Sequence, residues 1–193
     1  KNIRPYASVL WGPTPSETRA RAQRFRDQGF TAVKFGWEPM GKDEKTDVAL
    51  VRAAREGLGD DIDLLIDAGL VWDCKTAIKR ARAFEDYNVF WIEEPLLPDD
   101  YEGYRKLSEA TDIRIAAGEE ESNRSSFIEL MDRGRVDIIQ VDLTRVGGFT
   151  EAMKVASLAV DRGVPVVNHG FATYINVAAA LHFLNSIPNS FIL

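Results

Sequence analysis

Residues 89–95 read VFWIEEP, a short apolar run that ends in two adjacent glutamates. Similar runs recur along the chain, four ending in an acidic residue and the last in a histidine. They are DLLIDAG (63–69), VFWIEEP (89–95), IRIAAGEE (113–120), VDIIQVDL (136–143) and VPVVNHG (164–170). Successive polar residues are 26, 26, 23 and 27 positions apart, the length of one strand plus one helix; they are Asp67, Glu93, Glu119, Asp142 and His169.

This spacing predicts strands that alternate strictly with helices. Strands are expected near 5–10, 31–36, 63–67, 89–93, 113–118, 136–142, 164–168 and 190–193. Helices are expected from Thr14-Pro15 to Gly29 and near 43–57, 73–86, 99–110, 122–133, 148–162 and 173–185. Eight strands and seven helices favour an α/β fold of the TIM type, a (β/α)7β barrel, over an open sheet. With 193 residues the chain is shorter than the usual TIM barrel of about 250.

Carboxyl ends of parallel barrel strands converge on one mouth, so the recurring polar residues should lie together there. Three carboxylates beside an Asp and a His indicate a hard divalent cation next to a proton-transfer base. A single acidic residue at a strand end is commonly a helix cap, but four in phase favour a site. The buried carboxylate of WIEEP requires a cation or a donor nearby. Lys34 ends another apolar strand, where a purely structural lysine is costly to bury, and is predicted to be functional.

Composition excludes several classes of partner. The net charge is −6, and the basic residues are interleaved with acidic ones, which argues against nucleic acid. The longest apolar stretch, VAAALHFL (177–184), is too short to span a membrane. Cys74 is the single cysteine, so an internal disulfide is impossible and a reducing compartment is indicated. Without a signal-peptide pattern at its start, the chain is predicted to be cytoplasmic.

The segments AVKFG, LLIDAG, WIEEP, AAGEE, QVDLTRVGG and VVNHG, in this order and spacing, resemble the barrel domain of the enolase superfamily. The similarity is greatest to its mandelate racemase-like group and spans essentially the whole chain. The resemblance implies a catalytic Mg2+ with three carboxylate ligands, and proton-transfer groups on the second, sixth and seventh strands. Carried over, the metal ligands are Asp67, Glu93 and Glu119, and the catalytic residues are Lys34, Asp142 and His169.

This resemblance implies abstraction of the proton alpha to a carboxylate. Many relatives carry Lys-x-Lys on the second strand, whereas this chain has Lys34-Phe35-Gly36, so the base on that face is missing. One remaining His–Asp dyad favours dehydration of a sugar acid. Two alternatives stay open: a racemase or epimerase of a 2-hydroxy acid with Lys34 as the opposite base, and a metal-binding barrel without turnover.

Other residues are expected around the mouth in lesser roles. Gly69 stands where relatives often have a polar residue, which leaves a roomier pocket. Trp11 and Trp37 are candidates for the pocket lining or for packing beneath a loop. Three further polar residues flank the mouth as contacts of the substrate or of the ligands; they are Glu94, Asn168 and Arg145. His182, inside a helical apolar run, is expected to have no role.

The chain begins with Lys1 and stops at SFIL, inside a predicted strand. Residues 1–193 are therefore interpreted as the catalytic barrel domain of a longer protein, without its final helix and capping domain. By resemblance, an acid is expected just after Leu193, at the end of the eighth strand. The resemblance further implies a small-molecule carboxylate substrate and, for the full-length protein, a homo-oligomer.

Overall fold

Strands and helices alternate through the part of the chain that the computed structural model describes, residues 2–170 and 173–193. The strands are β1 (Ala7–Leu10), β2 (Ala32–Gly36), β3 (Asp63–Asp67), β4 (Val89–Glu93), β5 (Arg114–Ala117), β6 (Ile138–Asp142) and β7 (Val166–His169). The α-helices are α1 (Pro15–Asp27), α2 (Glu44–Leu58), α3 (Cys74–Phe84), α4 (Tyr101–Ser108), α5 (Arg124–Glu129), α6 (Phe149–Asp161) and α7 (Tyr174–Ser186). None of the helices in these ranges has the length and apolar composition that a bilayer span requires.

Side-chain caps fix where most of the helices begin. Five of the residues that precede a helix accept a hydrogen bond from a backbone N–H of the first turn; they are Thr14, Asp43, Asp73, Asn123 and Thr173. Pro15 occupies the first position of α1, where a missing N–H costs nothing. Gly29, the predicted end of this helix, lies two residues beyond its last residue and has a positive φ of 86°.

Strands β1 to β4 belong to a first compact unit, Pro5–Leu97 with Lys106–Ile115. Within it, β1 pairs in parallel with β2, β2 with β3 and β3 with β4. All five residues of β2 are buried, as is usual for strands of parallel sheets, whose two faces are both covered. The register aligns Gly36 with Asp67 and Asp67 with Glu93. Three strand ends of this unit are therefore level.

Strands β6 and β7 belong to a second unit, made of Ala116–Leu193, Pro98–Arg105 and the residues up to Arg4. Strand β6 pairs in parallel with β7 and with the end of β5. Its last residue, Asp142, is aligned with His169. The predicted α/β architecture with parallel strands is thus confirmed. Closure of these strands into a complete barrel stays a prediction.

The eighth predicted strand, residues 190–193, is reduced to one bridge in the described part of the chain. Ile192 forms an isolated parallel bridge with Arg4, and the Leu193 N–H donates to the Arg4 carbonyl oxygen at 2.9 Å. The prediction of a full strand at these four residues is therefore wrong.

Arg55 of α2 joins the two loops that lead into β3 and β4. Its guanidinium donates to the carbonyl oxygens of Gly59 (2.6 Å), Ile62 (2.8 Å), Tyr87 (2.9 Å) and Asn88 (2.9 Å). The Arg55 residue is only 8% exposed. Ile62 and Asn88 directly precede the two strands. One side chain therefore fixes the starts of the strands whose other ends carry Asp67 and Glu93.

Replacing this guanidinium should destabilise the fold strongly. Arg55→Met leaves four backbone carbonyl groups without their donor, and we expect the free energy of unfolding to fall by about 3–5 kcal/mol. Urea unfolding followed by circular dichroism measures the loss. Arg52→Met is the matched control, because Arg52 lies on the same helix with a 66% exposed side chain and bonds only to Glu56 among the contacts described. The control should lose less than about 0.5 kcal/mol, and equal losses would contradict the role of Arg55.

Candidate active site

Lys34, Asp67 and Glu93 form a buried cluster toward the carboxyl ends of β2, β3 and β4. The Lys34 Nζ atom lies 3.7 Å from Asp67 Oδ2 and donates a hydrogen bond to Glu93 Oε1. The side chain of Lys34 is 7% exposed and that of Glu93 is fully buried. The buried carboxylate of WIEEP thus has the cationic partner that burial requires.

Charge in this cluster is unbalanced, with two carboxylates against one ammonium group. Burial lowers the pKa of Lys34, but the negative charges of Glu93 and Asp67 outweigh it, and the pKa is raised overall. Burial, assisted by Glu93, raises the pKa of Asp67 to about 6 although Lys34 acts in the opposite direction. Lys34 is therefore a fixed positive charge in this arrangement.

Two aromatic side chains surround the cluster. Trp91 Nε1 donates to Glu93 Oε2 at 3.2 Å, and the Lys34 Nζ atom lies 5.6 Å from the centroid of the Tyr6 ring. The Tyr6 and Trp91 rings meet edge to face, with centroids 5.8 Å apart. Burial raises the pKa of Tyr6 to about 12, although the charge of Lys34 opposes the shift. Sequence reasoning missed both rings, although Trp91 lies two residues before Glu93 and so on the same strand face.

In the second unit, His169 lies between two carboxylates. Its Nδ1 atom is 2.8 Å from Asp142 Oδ2, and its Nε2 atom is 3.2 Å from Glu119 Oε2. The expected Asp142–His169 contact is thus present, because the register aligns these two strand ends. Both nitrogens face an acceptor, so an imidazolium, which donates from both, satisfies the two contacts together. The roles of these residues stay predictions.

Thr144 fixes the carboxylate of Asp142. The Thr144 backbone N–H and its hydroxyl donate to Asp142 Oδ1 at 2.7 and 2.6 Å, which leaves Oδ2 for His169. Burial raises the pKa of Asp142, but the hydrogen bonds from Thr144 and His169 outweigh it, and the pKa is lowered overall. The dyad therefore contains an ionised carboxylate with a fixed orientation.

Arg145 organises the loop after β5. Its Nη1 atom donates to the Glu119 carbonyl oxygen at 3.0 Å and lies 2.6 Å from Glu120 Oε1 and 3.9 Å from Glu119 Oε1. The three residues lie in the second unit. Arg145, predicted to flank the mouth as a contact of the substrate or of the ligands, therefore holds the backbone of Glu119.

The remaining polar candidates are placed differently. Glu94 is 2% exposed and has a left-handed backbone, with a φ of 42°. Asn168 has a buried Oδ1 atom without a hydrogen-bond partner among the described residues. His182 is exposed on α7, and nothing in its contacts suggests a role.

The two tryptophans at the ends of the first two strands have opposite environments. Trp11 is 2% exposed and stacks on Phe35 with ring centroids 5.0 Å apart. Trp37 is 62% exposed and lines a cleft. Of the two candidates, Trp11 belongs to the core and Trp37 remains available to a ligand.

Two glycines border Asp67. A Cβ atom at Gly36 would lie 2.9 Å from the Asp67 Cβ, so no side chain fits there without moving Asp67. Gly69 has a φ of 62°, and its N–H donates to Asp67 Oδ1 at 3.0 Å. Gly36 stands where many relatives are expected to have a second lysine. The present placement of Asp67 leaves no room for a side chain at this position.

Residues 17–193 match the family model described as enolase C-terminal domain-like. The chain belongs to the enolase C-terminal domain-like family. The fold of the chain matches that of a crystal structure of a predicted mandelate racemase from Rhodobacter sphaeroides, with a TM-score of 0.90 and 38% sequence identity. The match covers 98% of this chain and 50% of that one. The resemblance to mandelate racemase-like proteins is confirmed.

Curated relatives of this chain include proteins named as cycloisomerases and proteins named as dehydratases. The D-galactarolactone cycloisomerase of Agrobacterium fabrum is 32% identical over 88% of this chain, which covers 44% of that protein. The L-rhamnonate dehydratase of Saccharopolyspora erythraea is 33% identical over 96% of this chain, which covers 49% of that protein. The chain thus spans less than half the length of these relatives.

A metal centre does not follow from the family assignment alone. Across residues 2–170 and 173–193, no group of three or more His, Cys, Asp or Glu side chains is arranged to hold a metal ion. Asp67 and Glu93 share Lys34, whereas Glu119 contacts His169. The convergence of the three predicted ligands on one cation stays a prediction.

Thr144→Val tests how Asp142 is held. The folded pKa of Asp142 is depressed, so its carboxylate stabilises the fold above the unfolded pKa, and that contribution disappears as the pH falls through the folded pKa. We expect the variant to lose about 1–2 kcal/mol of unfolding free energy near neutral pH. The difference from wild type should shrink below about pH 4. Urea unfolding over a pH series measures it.

Thr46→Val is the control for this substitution. It removes a similar hydroxyl–carboxylate bond, to Asp43 Oδ2 at 2.8 Å, at the exposed start of α2. The loss there should be smaller, because the exposed carboxylate regains water. A loss from Thr144→Val that is independent of pH would show that the hydroxyl does not act through the Asp142 charge.

Proposed function

We propose that the protein carrying this chain is a Mg2+-dependent dehydratase of a sugar acid. It would remove the proton alpha to the carboxylate and then expel the beta hydroxyl group. The observation that carries the proposal is the contact of His169 Nδ1 with Asp142 Oδ2 at 2.8 Å, in a member of the enolase C-terminal domain-like family. The names of relatives such as the L-rhamnonate dehydratase support this class of reaction.

His169 is the proposed base. Donation from Nδ1 to Asp142 leaves the lone pair on Nε2 and stabilises the imidazolium once Nε2 has taken the proton. Nε2 now faces Glu119 Oε2 at 3.2 Å, so Glu119 must release it before it can accept a substrate proton. Glu119 would instead bind the metal.

Asp67, Glu93 and Glu119 would hold the Mg2+ ion, and the chemistry of the donor set fits it. All three offer carboxylate oxygens, the ligands that Mg2+ takes in proteins. Asp67 and Glu93 share one cationic partner, Lys34, which compensates only one of their two negative charges. When bound, Mg2+ would act as a Lewis acid toward the substrate carboxylate, which is worth several kcal/mol.

Lys34 is proposed to stabilise the substrate carboxylate by its charge. Removal of the alpha proton places a second negative charge on that group, and a buried ammonium lowers the cost of this charge. Lys34 lies within the first unit beside Asp67 and Glu93, so a carboxylate brought to these residues meets it.

The absence of a side chain at Gly36 favours elimination over inversion. Inversion requires an acid or base on each face of the alpha carbon, whereas a syn elimination requires one. His169 Nε2 would take the alpha proton and return it to the departing beta hydroxide, which leaves as water. The resulting enol becomes a 2-keto-3-deoxy acid by tautomerisation.

Exchange of the alpha proton in D2O tests the base. His169→Asn should abolish exchange and dehydration of a responsive sugar acid, with a loss of about 10³-fold or more. Asp142→Asn should be milder but severe, because it removes tautomer control. His182→Asn is the matched control, since His182 is the other of the two histidines and lies exposed on α7. Nuclear magnetic resonance with a panel of sugar acids follows deuterium incorporation.

The same measurement separates the alternatives. Loss of water supports the dehydratase, whereas exchange with inversion would make the protein an epimerase with Lys34 as the second base. No exchange with any acid would favour a binding protein. Normal turnover by His169→Asn would overturn the assignment of His169.

Metal binding is tested separately by calorimetry. Glu119→Gln should weaken Mg2+ binding by about 10-fold or more, because it removes a charged oxygen ligand. Glu120→Gln is the neighbouring control, since Glu120 pairs with Arg145 and is not a proposed ligand. Removal of the metal by a chelator should abolish turnover. Equal Mg2+ affinity in wild type and Glu119→Gln would remove Glu119 from the ligand set.

A further inference from the structure

A cleft of about 110 Å³ opens beside Asp67 in the first unit. It is lined by Ser8, Val9, Leu10, Gly36, Trp37 and Asp67. Position 36 tolerates only glycine while Asp67 stays in place, because an added Cβ would lie 2.9 Å from the Asp67 Cβ. The cleft therefore lies beside Gly36, which has no side chain to fill it. Asp67, a charged residue of the proposed site, forms part of its wall.

Trp37 at the rim of this cleft has an unusual backbone. Its φ is 70°, in the left-handed region that bulky residues seldom occupy. Its large apolar side chain is nevertheless 62% exposed. Strained residues of this kind persist where the surrounding structure holds them, and they cluster at functional sites.

The loop that follows Trp37 is anchored on two sides. Asp47, fully buried on α2, accepts hydrogen bonds from the Gly41 N–H at 2.8 Å and from Arg80 Nε at 2.7 Å. Gly41 also packs so closely that a Cβ there would lie 2.7 Å from Val71 Cγ2. The Trp37 indole is therefore exposed although the loop that follows it is held in place.

Lys34 and Gly36 lie on the same face of β2, two residues or about 6.6 Å apart. A sugar acid whose carboxylate faces Lys34 would extend its hydroxylated carbon chain toward Gly36 and the cleft. The C–H groups of such a chain pack well against an aromatic face, while its hydroxyl groups stay in water.

We propose that Trp37 is a specificity-determining residue, whose indole stacks against the hydroxylated carbon chain of the substrate. The inference rests on the proposed function and adds to it the part of the substrate that this chain reads. The cleft would hold substrate carbons beyond the reacting ones, so Trp37 contributes to binding and not to proton transfer.

Steady-state kinetics of the full-length protein with six-carbon aldonates test the proposal. Trp37→Ala should raise KM about tenfold for the aldonate turned over best, with kcat changed less than about threefold. Trp37→Phe keeps a stacking face and should stay within about threefold of wild type in both constants. Circular dichroism confirms that both variants are folded. An unchanged KM in Trp37→Ala, an equal rise in both variants, or a loss confined to kcat would overturn the inference.

Failure of the proposed function is recognised independently. If wild type turns over no aldonate, calorimetry with D-gluconate and Mg2+ replaces kinetics. Binding that Trp37→Ala weakens about tenfold and Trp37→Phe preserves supports the stacking role without the reaction. Binding unaffected by Trp37→Ala, or no binding to wild type, overturns it.

Discussion

Two carboxylates buried at neighbouring strand ends are the constraint on which the rest of the first unit depends. Parallel register makes Asp67 and Glu93 level, and apolar strands below them offer no solvation. Lys34 and Trp91 supply the donors that make this burial possible. The ends of three strands are thereby tied to one shared charge. The fold demands positive charge at the place where the proposed reaction needs it.

Much of this arrangement could be predicted from the sequence, and the limits are physical. The bounds of β3 and β4 agree with the prediction to the residue, because each is an apolar segment that ends in an acid. The contact of Asp142 with His169 was equally predictable, since both end neighbouring strands. The strand at 190–193 is reduced to one bridge with Arg4, because a ladder depends on its partner segment and a sequence pattern does not show that partner.

Side-chain contacts between segments that are distant in the sequence could not be predicted from it. Tyr6 precedes β1 by one residue and looks like any apolar aromatic, yet its ring faces the Lys34 ammonium. Trp11 and Trp37 were indistinguishable as candidates, but Trp11 stacks on Phe35, whereas Trp37 has a φ of 70° and is 62% exposed. Such outcomes depend on register and on local φ angles, which periodicity does not encode.

The close approach of Gly36 to Asp67 limits how this chain can diverge. A lysine at position 36, as the resemblance to Lys-x-Lys relatives suggests, would place its first side-chain carbon 2.9 Å from the Asp67 Cβ. A lineage could therefore reach that lysine only after the segment around Asp67 had shifted, so the order of substitutions matters. Positions 36 and 67 are therefore coupled through a single carbon atom, and the side chain at one limits what the other can become.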